Sequence, residues 1–388
     1  MAIHGGDIYG TDIQKTVEEG KEILDFSANI NPLGMPESVR QAVMTSLSAA
    51  EHYPDPECRK LKQELARHHG IKRESLICGN GGAELIYRLA YALRPKKALL
   101  TAPTFAEYEE ALRQTDTECS FYEMQPDLQI REDILDEMDS SLDVMFVCNP
   151  NNPTGILTPR SLLDQILKKA EVCGILLVLD ECFLDFTDQE SQSLIPQAVK
   201  SQHLFILKSF TKMYAIPGIR LGYGISGNKE LIEKMEKSGP CWNVSVLASE
   251  AGIAALQEVE YCEQARRLIC REREKLKEGL KIFGFRVWNG QADYLFFQTP
   301  GITDLYERLL PYGILIRRCS NYRGLDKTHY RIAVKSPEAN EKLLEVLRKV
   351  LTEFYSRKGD RSKRCSYEDS DITDDRGSQK GERSDRCD

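Results

Sequence analysis

Apolar runs of four or five residues recur at Ser75–Cys78, Ala98–Thr101, Ser120–Met124, Val144–Cys148, Ile175–Leu179, Leu204–Leu207 and Leu221–Ile225, with amphipathic stretches between them. Runs this short and continuously apolar suit strands buried on both faces. The stretches Glu84–Leu93 and Pro159–Val172 carry helical periodicity, and Thr158 followed by Pro159 reads as a helix cap with proline at the first helical position. The alternation predicts an α/β domain on a mostly parallel sheet, with ligand-binding loops at the carboxyl ends of the strands.

Past about residue 255 the pattern changes to a long charged amphipathic helix through Leu280, then strand candidates at Arg286–Trp288, Tyr294–Gln298, Ile314–Arg317 and Tyr330–Val334. A smaller α+β domain is expected there, closed by a helix over Pro337–Ser356 whose apolar face is Leu343, Leu344, Val346, Leu347, Val350 and Leu351. The expected division is an N-terminal arm over 1–45, a large domain over 46–260, a small domain over 261–356 and a disordered tail over 357–388. The tail is charged and rich in serine and glycine, with Ile372 its only aliphatic residue, so it has nothing to bury. Its Cys365 and Cys387 read as incidental.

The composition narrows the function. With 388 residues, 41% of them hydrophobic, the chain can bury a full-sized core. A formal charge of −8 spread along the sequence offers no basic face to nucleic acid or an anionic membrane, so a small-molecule partner is expected. The N-terminus lacks the basic flank and apolar core of a signal peptide, and no run is apolar for long enough to cross a bilayer, which points to the cytoplasm. The twelve cysteines are scattered singly, against both a disulfide framework and a zinc site; Cys148 and Cys173 read as core residues, and no metal is expected.

Four segments carry candidate chemistry. In Ser209-Phe-Thr-Lys212-Met-Tyr-Ala-Ile-Pro-Gly-Ile-Arg220, a lysine follows a strand and is flanked by hydroxyls and an arginine suited to a phosphate. A lysine at a strand end is more often a solvated surface residue. Ser209 to Lys212 also fit the S-x-x-K pattern of penicillin-recognising enzymes, but the K-T-G and S-D-N elements that reading needs are absent. In Asn149-Pro-Asn-Asn152-Pro-Thr-Gly155, two prolines restrict the loop around Asn152, more punctuation than a plain turn requires. Leu176-Leu-Val-Leu-Asp180-Glu181 ends an apolar strand in a carboxylate, which is costly to bury unless paired, and a protonated ring nitrogen would pair it. Cys78-Gly-Asn-Gly-Gly82-Ala83-Glu84 is a glycine-rich turn into a helix, an anion site or an ordinary tight turn.

In this order and spacing, the four segments resemble the fold-type I pyridoxal phosphate (PLP) enzymes of the class I and II aminotransferase superfamily, over roughly His4 to Tyr355. The resemblance implies a large domain with a mixed, mostly parallel seven-stranded sheet plus a smaller α+β domain. It implies PLP held as a Schiff base on Lys212, which would also move protons, with Asp180 keeping the pyridine nitrogen protonated. Gly82, Ala83, Ser209, Thr211 and Arg220 would bind the cofactor phosphate, Tyr108 would stack on the ring and Asn152 would contact its hydroxyl. Tyr53 resembles a tyrosine that reaches the neighbouring subunit's phosphate, implying a homodimer with shared sites, and Arg331 one that grips the substrate carboxylate. Many aminotransferases carry a tyrosine three residues after the aspartate, where this chain has Phe183.

Within the superfamily, His4-Gly-Gly, Leu24-Asp-Phe-Ser-Ala-Asn-Ile-Asn31-Pro-Leu-Gly34, Ala215–Tyr223 and Gly313–Asn321 resemble the threonine-phosphate decarboxylases of cobalamin biosynthesis. Their nearest relatives, the histidinol-phosphate aminotransferases, break the Cα–H bond rather than the Cα–carboxylate bond. This resemblance implies His4, Asn31, Asn152 and Arg331 as substrate residues, with Arg317, Arg318 and Arg323 as candidates for the substrate phosphate. The resemblance leaves a related phosphoamino acid such as phosphoserine open as an alternative substrate. A PLP-binding regulator without catalysis is disfavoured, because the chain has no fused DNA-binding module and keeps both Lys212 and Asp180.

Overall fold

A computed structural model of the chain describes residues 4–187 and 192–358. A short strand, β1 (Leu24–Asp25), precedes the seven strands of the main sheet: β2 (Leu76–Gly79), β3 (Lys97–Ala102), β4 (Glu118–Glu123), β5 (Val144–Cys148), β6 (Leu176–Asp180), β7 (Leu204–Ser209) and β8 (Gly222–Ile225). Their spatial order is β2-β8-β7-β6-β5-β3-β4, and only β8 runs against the rest. The seven-stranded, mostly parallel sheet expected of the chain is thus present.

Alternate strand residues feed two cores, as a sheet covered on both faces requires. Met145, Val147, Leu177, Leu179, Leu204 and Ile206 join one apolar cluster, which also holds Leu163 and Ile166 of the helix Arg160–Cys173. Val144, Phe146, Val178, Phe205 and Leu207 join the other, with Leu85, Ile86 and Leu89 of the helix Gly82–Leu93.

Beyond the helix Val259–Ile282 lies a second sheet made of β9 (Arg286–Val287), β10 (Tyr294–Gln298), β12 (Arg317–Arg318) and β13 (His329–Ala333), antiparallel in the order β12-β13-β10-β9. The expected single strand over Ile314–Arg317 is divided at Ile316. Its first part, β11 (Ile314–Leu315), pairs in parallel with β1, and its second part is β12. Phe26 bridges the two groups: its N–H donates to Leu315 O and its carbonyl accepts from Ala333 N–H, both at 2.8 Å. The helix Pro337–Lys358 buries Leu343, Val346, Leu347, Val350 and Leu351 against this sheet, with Leu344 partly buried beside them.

Thr158 and Pro159 differ from expectation. Pro159 stands as the cap itself, with φ −55° and a polyproline-like ψ of 138° that is not a helical value, and no side-chain hydrogen bond. The helix begins at Arg160, and Thr158 N–H is occupied instead by Asn149 Oδ1 at 2.7 Å. The tail cysteines Cys365 and Cys387 lie outside the described residues.

Candidate active site

Strands β2, β5, β6 and β7 run the same way, so the glycine turn, the Asn149–Gly155 loop, Asp180 and the segment after Ser209 emerge at one edge of the sheet. There they surround a cavity of about 500 Å3 lined by Gly82, Ala83, Asn152, Asp180, Ser209, Thr211, Lys212 and Arg220, by His4, Arg317 and Arg331, and by Ser27, Asn29, Phe105, Glu107, Phe183 and Tyr322 among others. Residues from the first thirty positions and from β12 and β13 thus close a site that the main sheet opens.

One wall is built to receive an anion. Ser209 Oγ and Thr211 Oγ1 are 2.8 Å apart, and Ser209 Oγ also accepts from Thr211 N–H at 3.3 Å, which fixes both hydroxyls at the start of the turn Phe210–Met213. Gly81 has φ +86°, and a Cβ there would meet Arg220 Nη2 at 2.5 Å. A Cβ on Gly222 would lie 2.6 Å from Gly82 N. These glycines let the β8 backbone and the Arg220 guanidinium close on the amides that open the helix Gly82–Leu93, a donor-rich pocket of the kind that holds phosphate.

The floor is Asp180, whose Oδ2 accepts from Tyr108 Oη at 2.6 Å and whose Oδ1 accepts from Cys182 N–H at 2.9 Å. This differs from the role expected of Tyr108. Its side chain is fully buried and stacks on Phe146 at 4.9 Å, so it has no face on the cavity and serves as a donor to Asp180. Burial and the Asp180 charge push its phenol well above the usual range, which keeps it protonated. Phe105, three residues earlier, is on the cavity wall instead, together with Phe183 and Tyr322.

Asn152 is held by its neighbours rather than by itself. Asn151 Nδ2 donates to Pro103 O and Thr154 Oγ1, both at 3.0 Å, and Tyr294 Oη donates to Asn151 O at 2.9 Å. Arg331 Nη1 donates to Asn152 Oδ1 at 2.5 Å and Nη2 to Ser27 O at 2.9 Å, which fixes the guanidinium plane beside the cavity. Lys212 Nζ makes no hydrogen bond or ion pair among the described residues, and burial lowers its pKa from that of an ordinary lysine. His4 Nε2 meets Glu107 Oε1 at 2.7 Å, and that contact holds the Glu107 carboxyl below its usual range.

Four other expected site residues fall off the cavity. Asn31 is buried behind Lys212: its N–H donates to Lys212 O at 3.2 Å and its Nδ2 to Met213 O at 2.7 Å, so it ties down the lysine backbone, while Asn29 occupies the wall. Arg323 lies over the Phe121 ring at 3.7 Å with Glu109 at 3.6 Å, and Arg318 pairs with Glu307 at 3.1 Å. Arg317 is the one of the three arginines on the wall, buried and with Nη2 on Asn321 Oδ1 at 2.9 Å. Tyr53 is 80% exposed and stacks on Trp242 at 4.5 Å, away from this cavity. Phe105, Asn29, Glu107 and Tyr322 were not singled out from the sequence. Phe105 and Glu107 lie inside the segment that supplies Tyr108, and Asn29 is two residues from Asn31.

The fold and this strand-end site define a class. Residues 21–347 match the family model for aminotransferase class I and II, and the chain belongs to that family. It is 39% identical to a threonine-phosphate decarboxylase of Salmonella typhimurium over 353 residues, 90% of this chain and 96% of that protein. Among solved structures, the histidinol-phosphate aminotransferase from Clostridium acetobutylicum superposes with a TM-score of 0.81 at 33% identity, covering 85% of this chain and 100% of that one. The L-threonine-O-3-phosphate decarboxylase from Porphyromonas gingivalis gives 0.76 at 27% identity, covering 84% and 98%.

Proposed function

We propose that the chain is a PLP-dependent decarboxylase that converts L-threonine O-3-phosphate to (R)-1-amino-2-propanol O-2-phosphate, a step of cobalamin biosynthesis. The observation that carries this reading is the convergence on one cavity of Lys212, a donor-supported Asp180, the glycine and hydroxyl pocket, and two buried arginines, in a chain so similar to the Salmonella decarboxylase.

The residues present fit the cofactor. The close approaches at Gly81 and Gly222 bring Arg220 and the β8 backbone against the glycine turn, where Gly82, Ala83, Ser209, Thr211 and Arg220 would hold a phosphate. Asp180, which accepts from Tyr108 Oη and from Cys182 N–H, would pair with a protonated ring nitrogen. Phe105 would cover the ring and Asn152 would reach its oxygen. When bound, the cofactor supplies an electron sink for the pair released at the substrate Cα.

Arg331 would take the substrate carboxylate. Because Asn152 and Ser27 already set the guanidinium plane, it can hold the Cα–carboxylate bond perpendicular to the ring, the alignment that lets CO2 leave. Arg317 and His4 would face the substrate phosphate. Lys212 Nζ, free of partners, would return a proton to Cα. The exposed Tyr53–Trp242 pair, with Met44 and Leu47, supports a homodimer in which a second copy covers this face. All ten described cysteines are free thiols, which supports a reducing, cytoplasmic setting.

The likeness to the Clostridium structure favours one second reading, a histidinol-phosphate-type aminotransferase. One experiment separates them: PLP-loaded protein is given L-threonine O-3-phosphate with no 2-oxoacid, and CO2 and cofactor absorbance are followed. Sustained CO2 release with unchanged absorbance is expected. No CO2, together with conversion to pyridoxamine phosphate on histidinol phosphate, would overturn the proposal in favour of the aminotransferase.

A further inference from the structure

The helix Gly82–Leu93 opens without a side-chain cap. Gly81 stands at its cap position with no side chain to offer, and the first amides of a helix have no intrahelical partner, so those of Gly82 and Ala83 are left for an anion in the pocket. A turn stripped of side chains gains open donors but loses the group that would hold it in shape.

Glu84, in the first turn of that helix, supplies the hold. Its Oε2 accepts from Asn80 N–H at 2.5 Å and from Asn243 Nδ2 at 2.8 Å, and its Oε1 forms an ion pair with Arg88 Nε at 3.3 Å. An ordinary capping box returns such a glutamate to the amide of the cap residue itself. Here the Gly81 N–H already donates to Gly79 O at 2.8 Å, and the carboxylate reaches one residue further back. Gly79 leaves room for that reach: a Cβ there would lie 3.2 Å from Glu84 Oε2 and 2.6 Å from the Leu85 side chain.

The partners of Glu84 are anchored outside the cavity. Asn243 Nδ2 also donates to Cys78 O at 3.4 Å, so one amide ties the end of β2 to the carboxylate. Arg88 is buried, donates from Nη2 to Pro240 O at 2.9 Å, and accepts at its carbonyl from Ser238 Oγ at 3.0 Å; a Cβ on Gly239 would fall 1.9 Å from its Nε. The segment 238–243 thus wraps Arg88 and fixes Glu84 off the cavity wall that Gly82 and Ala83 line. The Arg88 charge offsets that of the carboxylate, which would otherwise oppose an anion held by the same turn.

We propose that Glu84 is a positioning residue for the cofactor phosphate: it touches neither cofactor nor substrate, and by gripping the turn at Asn80 it aims the amides of Gly82 and Ala83 at the phosphate. The inference rests on the PLP reading and is independent of which substrate bond is broken. It concerns the phosphate alone, since Lys212, Asp180 and Phe105 belong to other segments.

The test compares PLP with pyridoxal, which has the same ring and aldehyde but no phosphate. Dissociation constants for both are measured by equilibrium dialysis on the full chain, in wild type, Glu84→Ala, Asn243→Ala and the double variant. Neither substitution alters Tyr53 or Trp242, so the exposed stack is left in place. Wild type should prefer PLP, and in Glu84→Ala that preference should fall by about tenfold or more, with pyridoxal affinity within about twofold of wild type. Asn243→Ala should give a smaller fall, and adding it to Glu84→Ala should change nothing further, because the amide acts through the carboxylate. An equal loss of PLP and pyridoxal affinity, or an unchanged preference, would overturn the proposal. Should Glu84→Ala not fold, Asn243→Ala decides, and a full wild-type preference there overturns it. Wild type that binds PLP no more tightly than pyridoxal would instead remove the phosphate pocket itself, and the inference with it.

Discussion

Tyr108 Oη donates to Asp180 Oδ2 at 2.6 Å beneath the cavity floor, and the phenol has no other exposed surface through which to act. Tyr108→Phe keeps the ring on Phe146 and deletes only the donor. We expect a loss of about 1–3 kcal/mol in stability, read by denaturant unfolding of the cofactor-free protein, and weaker PLP binding by equilibrium dialysis. Because the phenol stays protonated, the defect should not vary between about pH 6 and pH 9.

Gly222→Ala tests the closed approach of β8 to the glycine turn. The new Cβ would meet backbone at Gly82 N, which cannot rotate away as a side chain can. The expected cost is about 1–3 kcal/mol, together with a loss of PLP affinity of about tenfold or more. Unchanged affinity would show that the amides beside it take no part in holding the phosphate.

Arg331→Lys preserves the charge but not the fork that reaches Asn152 and Ser27 together. A drop of about 100-fold in kcat/KM is expected on L-threonine O-3-phosphate, with PLP binding retained. Steady-state kinetics beside cofactor titration distinguishes this from general damage to the site.

His69 gives a pH dependence of stability. Its imidazole is half-buried against Tyr223 Oη at 2.9 Å, and burial, then Lys208 and His68, lower its pKa to about 3, against a small opposing pull from Asp185. A base with a depressed folded pKa contributes stability that is present above its unfolded value near 6.5 and lost as pH falls from there toward the folded value. His69→Gln should therefore flatten the fall of melting temperature between about pH 6.5 and pH 4. A slope identical to wild type would rule His69 out as its source.

The main sheet was legible because its central strands are continuous apolar runs; Val144–Cys148 matches expectation residue for residue, as does Tyr294–Gln298 of the second sheet, whereas the edge strand Glu118–Glu123 alternates and begins two residues before the expected run. The split at Ile316 was not legible, since Ile314 to Arg317 read as one run and only its pairing partners divide it, Leu24 far back in the chain for Ile314 and the nearby Arg331 for Arg317. Lys212, Asp180, Asn152 and Arg220 stand at strand ends where local pattern points to them. Phe105 and Asn29 were missed because a choice between neighbours a few residues apart depends on which side chain the backbone turns toward the cavity.

The stitch at Phe26 sets an order in time. Residues 24–31 bind on one side to β11 and β13 and on the other to the carbonyls of Lys212 and Met213. On a chain emerging from the ribosome, the beginning must wait, unpaired, until nearly everything else has been made. The lysine segment and its sheet can form early, but the pocket closes only when the last quarter of the protein arrives to clasp the first.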